Sequence, residues 1–342
     1  MWCTTNRLAR MLCLSVIAVS ILTGCGGAAK DTAKEPAKEP AKPAAKVSSA
    51  PDVKVDPPSK VSFGLVNATL QKLGGASYKP EKVARVQSLA RYKDKLVYSD
   101  GEKSIKSLNV EVPKAWPDKD TFKKGLSGSN WGFANLTVDK QDNLYFTVNS
   151  REVRNVKVDE TPIISDKAKG NLVVSADGKQ GFAYNGYLFY RYELQNGKLV
   201  NEKQLKTSFK TIYSVVIDTD NKAYILGNIA GGNGKQYRWG VVSPDGQEAA
   251  IYGSDDKNDP SYMYWNMNQL ALTSKYVVVN TQYWLLLFDK EGKILGKLQL
   301  KDALDGNMIT SLCRWDENSL MLAVQETDLK TGSQNSFYQL SF

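Results

Sequence analysis

Histidine is absent from all 342 residues. Its absence excludes Ser-His-Asp and Cys-His nucleophile pairs, His-containing zinc sites, and the side chain that ordinarily titrates near neutrality. Cysteine is scarce, at four residues. Long apolar runs are missing as well. The strongest, from Met11 to Leu22, falls short of the roughly 20 residues that cross a bilayer. No glycine loop is built to cradle phosphate, because Gly231-Gly232-Asn233-Gly234 lacks a following helix and a Lys-Ser/Thr pair.

What is present suffices for a large core. Hydrophobic residues make up 42% and charged residues 24%, which excludes wholesale disorder. Residues 1 to 24 read as a secretory signal, with Arg7 and Arg10 ahead of the apolar run and Leu22-Thr23-Gly24-Cys25 at its end. This tetrapeptide resembles the lipobox of bacterial lipoproteins. The resemblance implies cleavage before Cys25, a thioether-linked diacylglycerol on that cysteine, and anchoring outside the cytoplasm to the cell membrane or outer membrane. Gly26, rather than Asp, follows the cysteine, which by the same resemblance favours the outer membrane in a two-membrane bacterium. Cys3 and Cys13 would leave with the signal, so Cys313 is the single thiol expected in the folded part, and no intrachain disulfide is expected. Its alternating context, Ser311-Leu312-Cys313-Arg314-Trp315, predicts a buried and inert thiol.

Residues 25 to 60 form the lipidated cysteine and a tether. Ala33-Lys34-Glu35-Pro36 repeats as Ala37-Lys38-Glu39-Pro40 and is followed by Ala41-Lys42-Pro43. Recurrent proline disfavours helix, so the segment is expected to be extended, reaching on the order of 100 Å at ~3.1 Å per residue. The formal charge of +9 falls to +7 without Arg7 and Arg10, and residues 61 onward retain about +5. Spread so thinly, this charge reads as solubilising lysine, and no nucleic-acid partner is expected.

Residues 61 to 342 carry a repeat. An apolar alternating run, a polar turn and a second apolar-aromatic run recur from Ser88-Leu89, Asn135-Leu136, Asn171-Leu172, Ser214-Val215, Gln269-Leu270 and Ser311-Leu312. The starting apolar residue returns after 47, 36, 43, 55 and 42 positions, near the spacing of propeller blades. Each copy continues into a further hairpin, clearest around Glu291-Gly292 between Trp284 and Leu298. The expected fold is all-β, a six-bladed β-propeller of four-stranded antiparallel blades. After Gln325 only one further strand fits, over residues 335 to 342, so the last blade lacks its outermost strand. An N-terminal segment, either residues 82 to 87 or 61 to 70, is expected to close the ring. Val138-Asp139-Lys140-Gln141-Asp142-Asn143-Leu144-Tyr145 and Ile217-Asp218-Thr219-Asp220-Asn221-Lys222-Ala223-Tyr224 resemble the core of NHL-type propeller repeats. That resemblance implies architecture alone, since the Asn-His-Leu element cannot occur without histidine.

In such a fold the loops entering each innermost strand and the loops after each second strand share a face. The second-strand ends are Asp100, Asn149, Asn185, Asn228, Asn280 and Gln325. These side chains either cap their turns or form a neutral polar funnel for hydroxyls and peptide amides. The richest loop on that face, residues 253 to 268, holds Asp255, Asp256, Asn258, Asp259, Tyr262, Tyr264 and Trp265, with Trp131 and Tyr283 on the same side. Aromatics beside acids and amides suit a sugar or peptide, and equally suit a buried anchor beneath the loop. The acids lack the order of a calcium loop, so no metal and no cofactor are expected. Ser175-Ala176-Asp177-Gly178 shares an element with the Asp-box of sialidase propellers, lacks its tryptophan, and reads as a hairpin turn.

The expected function is a lipid-anchored binding module for an envelope protein or glycan, monomeric or part of an envelope complex. One alternative is a glycosidase or lyase using paired carboxylates among Asp255, Asp256, Asp259 and Asp305. Another is a purely structural part of an envelope complex.

Overall fold

Runs such as Val277-Val278-Val279 and Leu285-Leu286-Leu287-Phe288 leave no wet face for a strand, so they call for sheets buried on both sides. The computed structural model describes residues 57–77, 86–99, 105–108, 133–148, 152–156, 164–195, 198–229, 236–263, 269–281, 283–305, 307–328 and 332–342. All of them belong to one unit, Ser49–Phe342.

The described strands form six antiparallel sheets. Strands β1 (Ser59–Ser62) and β2 (Asn67–Ser77) make an N-terminal hairpin. The first sheet is β3 (Ser88–Tyr92), β4 (Lys95–Ser99) and β5 (Ile105–Ser107). The second is β6 (Phe133–Val138), β7 (Leu144–Val148), β8 (Glu152–Val156) and β9 (Ile164–Lys167). The third is β10 (Asn171–Val174), β11 (Gln180–Asn185), β12 (Leu188–Gln195) and β13 (Lys198–Gln204). The fourth is β14 (Phe209–Ile217), β15 (Ala223–Ile229), β16 (Gln236–Val242) and β17 (Glu248–Tyr252). The fifth is β18 (Gln269–Leu272), β19 (Tyr276–Asn280), β20 (Trp284–Asp289) and β21 (Ile294–Gln299), followed by the single turn α1 (Leu300–Ala303). The sixth holds β22 (Met308–Arg314), β23 (Ser319–Asp328) and β24 (Gly332–Ser341).

Contacts between first strands run in a cycle: β3 meets β6, then β10, β14, β18 and β22 follow in turn, and β22 meets β3. The fold is therefore all-β and propeller-like. Strand alternation supplies the cores between neighbouring sheets. Val277, Val279, Leu286 and Phe288 of the fifth sheet pack against Trp239 and Tyr224 of the fourth. The intervening Val278, Leu285 and Leu287 turn to Leu312, Leu320 and Leu322 of the sixth. Trp239, fully buried, lies 4.3 Å from Tyr252 and 5.6 Å from Phe288 between ring centroids.

The hairpin joins the sixth sheet in the order β1-β2-β24-β23-β22. β2 pairs with β24 from Thr69↔Ser341 to Ser77↔Gln334. Of the two segments expected to supply this strand, the one nearer the N-terminus does so, starting later and running to Ser77, whereas Val86 and Gln87 simply lead into β3. The expected four strands occur in the second to fifth sheets, whereas the sixth sheet has five, and the first has three among the described residues. The fifth strand follows from Phe63, which is buried between the hairpin and the fifth sheet. Gly64 bridges to Gly296, and the Leu65 amide donates to the Leu295 carbonyl at 3.2 Å. Only glycine fits at 296, because a Cβ there would lie 1.1 Å from the Phe63 carbonyl oxygen. The Phe63 ring in turn sits 5.7 Å from Phe342 at the C-terminus.

Lys72 and Arg91 make the polar contacts that tie the N-terminal part to the sixth sheet. Lys72 Nζ donates to Glu326 Oε1 at 2.9 Å, and the Tyr338 hydroxyl donates to the same oxygen at 3.2 Å. Arg91 of the first sheet donates to the Trp315 carbonyl of the sixth at 2.7 Å and lies 5.1 Å from its ring.

Deleting residues 337 to 342 removes the register that β2 reads, so the truncated chain should lose cooperative thermal unfolding; an unchanged melting curve would refute this closure. Burial pushes the Glu326 carboxyl up, but the hydrogen bond and charge of Lys72 outweigh it and hold it below its ordinary 4.5. Burial lowers and Glu326 raises Lys72, with a net rise above 10.5. The pair's contribution is then fully present between pH 4.5 and 10.5 and is lost as pH falls through the depressed carboxyl value or rises through the raised amine value. Glu326→Gln should cost about 1 kcal/mol at pH 7 and flatten the acid limb of a stability profile.

Candidate functional site

The first strand of each sheet has one ladder neighbour, so amides on its other edge need acceptors from elsewhere. In three of the six repeats the heading polar residue meets this need across the gap to the next sheet. Ser88 Oγ accepts the Leu136 amide at 2.9 Å, Ser214 Oγ accepts Leu270 at 3.3 Å, and Gln269 Oε1 accepts Leu312 at 2.8 Å. In the second sheet Thr137 and Thr147 hydroxyls accept the Val174 and Leu172 amides at 3.3 and 3.0 Å. This girdle holds the first strands around a cavity of about 810 Å³, within the ~300–1,000 Å³ typical of small-molecule sites.

The cavity wall differs at its two ends. Gln87, Asn135, Tyr184, Tyr213 and Gln269, all neutral, line it near the leading ends of the first strands. The charged lining residues, among them Arg91, Lys93, Lys140, Arg314 and Asp316, lie at or beyond the trailing ends. The two acids at the β6 and β14 exits are already bonded. Asp139 accepts the Gln141 and Asn143 amides, the Asn143 side chain and the Tyr145 hydroxyl, all at 2.8–2.9 Å. Asp218 accepts the Asp220 and Lys222 amides at 2.9 Å. Burial and then the Asp139 charge raise the Tyr145 phenol well above its ordinary value. These stretches are thus turn-building devices, with Asp142 and Asn221 in the left-handed region at φ 58 and 63. Cys313 lies half-buried in the same wall, its thiol pushed up to about 12 by burial, as befits an inert group.

The residues nominated from sequence fall elsewhere. Trp131, Asn149, Tyr264, Trp265 and Cys25 lie outside the described residues. Asp255, Asp256, Asp259 and Tyr262 come together in one loop closed by a Ser254–Tyr262 bridge. Arg238, 6% exposed, anchors that loop by pairing with Asp255 and donating to the Tyr237 and Ser254 carbonyls at 2.8 and 3.0 Å. Asp256 accepts the Asn258 amide at 2.9 Å, and Asp259 accepts the Ser261 amide and hydroxyl at 2.7 and 2.6 Å. Asn185 is exposed at the end of β11, Tyr283 is exposed, and Asn228 is half-buried. Asn280 is buried and donates to the Ile309 carbonyl of the sixth sheet at 3.2 Å, leaving its Oδ1 without a partner among the described residues. None of these described residues lines the cavity. Among the described residues no three His, Cys, Asp or Glu side chains cluster to hold a metal ion.

Sequence reasoning missed Asn135, Tyr184, Tyr213 and Gln269. Two of them, Asn135 and Gln269, head a repeat copy, so the signal was the recurring polar residue in front of each apolar run.

No known protein family matches the chain, and no curated protein sequence does. Among solved structures, a gluconolactonase from Xanthomonas campestris is similar at a TM-score of 0.50 and 12% identity, covering 84% of this chain and 95% of its own. A protein of unknown function from Bacteroides caccae is similar at a TM-score of 0.46 and 12% identity, covering 74% and 97%. The first of these likenesses supports the propeller-like fold.

Ser214→Ala strands the buried Leu270 amide and should cost about 1–3 kcal/mol in urea denaturation. A change below about 0.5 kcal/mol would show that the girdle does not hold the wall.

Proposed function

We propose that this protein is a lipid-anchored, extracytoplasmic binding module, a six-bladed propeller whose leading-end face engages an envelope protein or glycan without chemistry of its own. The six sheets serve as blades, Cys25 as the lipid attachment point, and residues 26 to 60 as the spacer. The observation that carries this reading is a roomy cavity whose buried acids are committed to turns. A glycosidase needs one carboxyl held protonated and another free to act as base or nucleophile. Asp255, Asp256 and Asp259 instead serve an ion pair and two turns, and hydrogen bonds from Ser261 hold Asp259 below its ordinary value. Asp305 is exposed. These facts favour recognition over acid/base catalysis.

The test is affinity capture from native envelope with the full-length protein in detergent, beside a Trp265→Ala, Tyr283→Ala double variant shown to stay folded. A protein or glycan retained by the parent and lost by the variant is the expected result. Release of new reducing ends from envelope glycan by the parent, abolished in Asp259→Asn, would replace the binding module with an enzyme.

A further inference from the structure

We infer that the neutral end of the cavity is a subsite for the uncharged, hydroxyl-rich end of a glycan, with Asn135 and Tyr184 as the residues that select it. The inference rests on the binding-module reading and narrows its ligand class. Its starting point is a backbone anomaly. Asn135 lies inside β6 at φ 54, where the register slips between Ala134 and Thr137. A bulge of this kind re-aims a side chain, and asparagine tolerates the left-handed conformation better than most residues. Here it puts the Asn135 amide in the cavity wall, where its Nδ2 lies 3.2 Å and its Oδ1 3.4 Å from the Tyr184 hydroxyl. Both contacts are long, and a single hydroxyl shared between an amide donor and an amide acceptor leaves bonding capacity on each partner.

The surroundings fix the ligand class. Tyr184 is anchored by its ring in the core between the third and fourth sheets, so its hydroxyl is held in place. Burial raises this phenol to about 12, so it stays a neutral donor and acceptor. Gln269 spends its Oε1 on the Leu312 amide, which directs its amide nitrogen to other acceptors. Every charged lining residue sits at or beyond the trailing ends. Among the described lining residues a carboxylate or phosphate finds no countercharge at this end, whereas paired amide and phenol groups match vicinal hydroxyls, each both donor and acceptor.

Isothermal titration of the full-length protein in detergent tests this with maltotriose and triacetylchitotriose as neutral probes, trigalacturonate as the charged probe and trialanine amide as the peptide probe. A neutral trisaccharide should bind at least about tenfold more tightly than trigalacturonate or the peptide. Asn135→Gly suits the left-handed backbone and deletes only the amide, so it should weaken that binding about tenfold with melting unchanged. Tyr184→Phe should do the same, and Lys93→Ala at the charged end should leave affinity unaltered. Tightest binding of trigalacturonate or the peptide, or full affinity in Asn135→Gly, overturns the inference. Failure of both neutral probes overturns it too, and the envelope capture then separates the readings: a partner still captured leaves the binding module standing, and loss of both removes both.

Discussion

A strand at the hub of a ring of sheets has a ladder on one side and an unpaired edge on the other, and burying that edge without acceptors costs more than the fold can bear. The polar residue heading a repeat relieves this constraint at three of the six positions. Ser88, Ser214 and Gln269 each accept an amide from the next sheet, so every such bond is both a satisfied donor and a weld between neighbours. The welds set the spacing of the first strands, and that spacing sets the cavity. Further out, alternating valines and leucines finish the contact, since each strand divides its side chains between two interfaces.

Closure follows the same logic at larger scale. A sheet left without its outer strand would present a bare edge, and β2 covers it while the Phe63 turn locks onto the fifth sheet through Gly296. The first and last sheets are held by Arg91 on Trp315 as well as by apolar packing of Tyr98 on Phe337, whose ring centroids lie 4.9 Å apart.

The strands, their repeat and the need for an N-terminal closing strand were legible in the sequence because period-two alternation and turn residues are local signals. The hairpin's fifth strand was not, because it depends on Phe63 finding a glycine more than two hundred residues away. The candidate site was less legible for a related reason. Asp256 and Asp259 look like reactive groups in a string of letters, yet each carboxylate bonds an amide two residues on, as Asp139 and Asp218 of the repeat motif bond amides within four. Asn135 and Gln269, by contrast, stood in view as the heads of repeats, and their reach to Tyr184 and Leu312 of the next sheet is a tertiary fact. Among the described residues, the cavity lining that results is neutral at one end and charged at the other.

The measurement closest to the central claim is native-state hydrogen exchange at the Leu312 amide in the parent and in Gln269→Leu. The girdle predicts that this amide, protected in the parent, exchanges much faster in the variant while the Leu322 ladder amide stays protected. Equal protection of Leu312 in both proteins would contradict it, and would mean that the first strands are held by apolar packing alone.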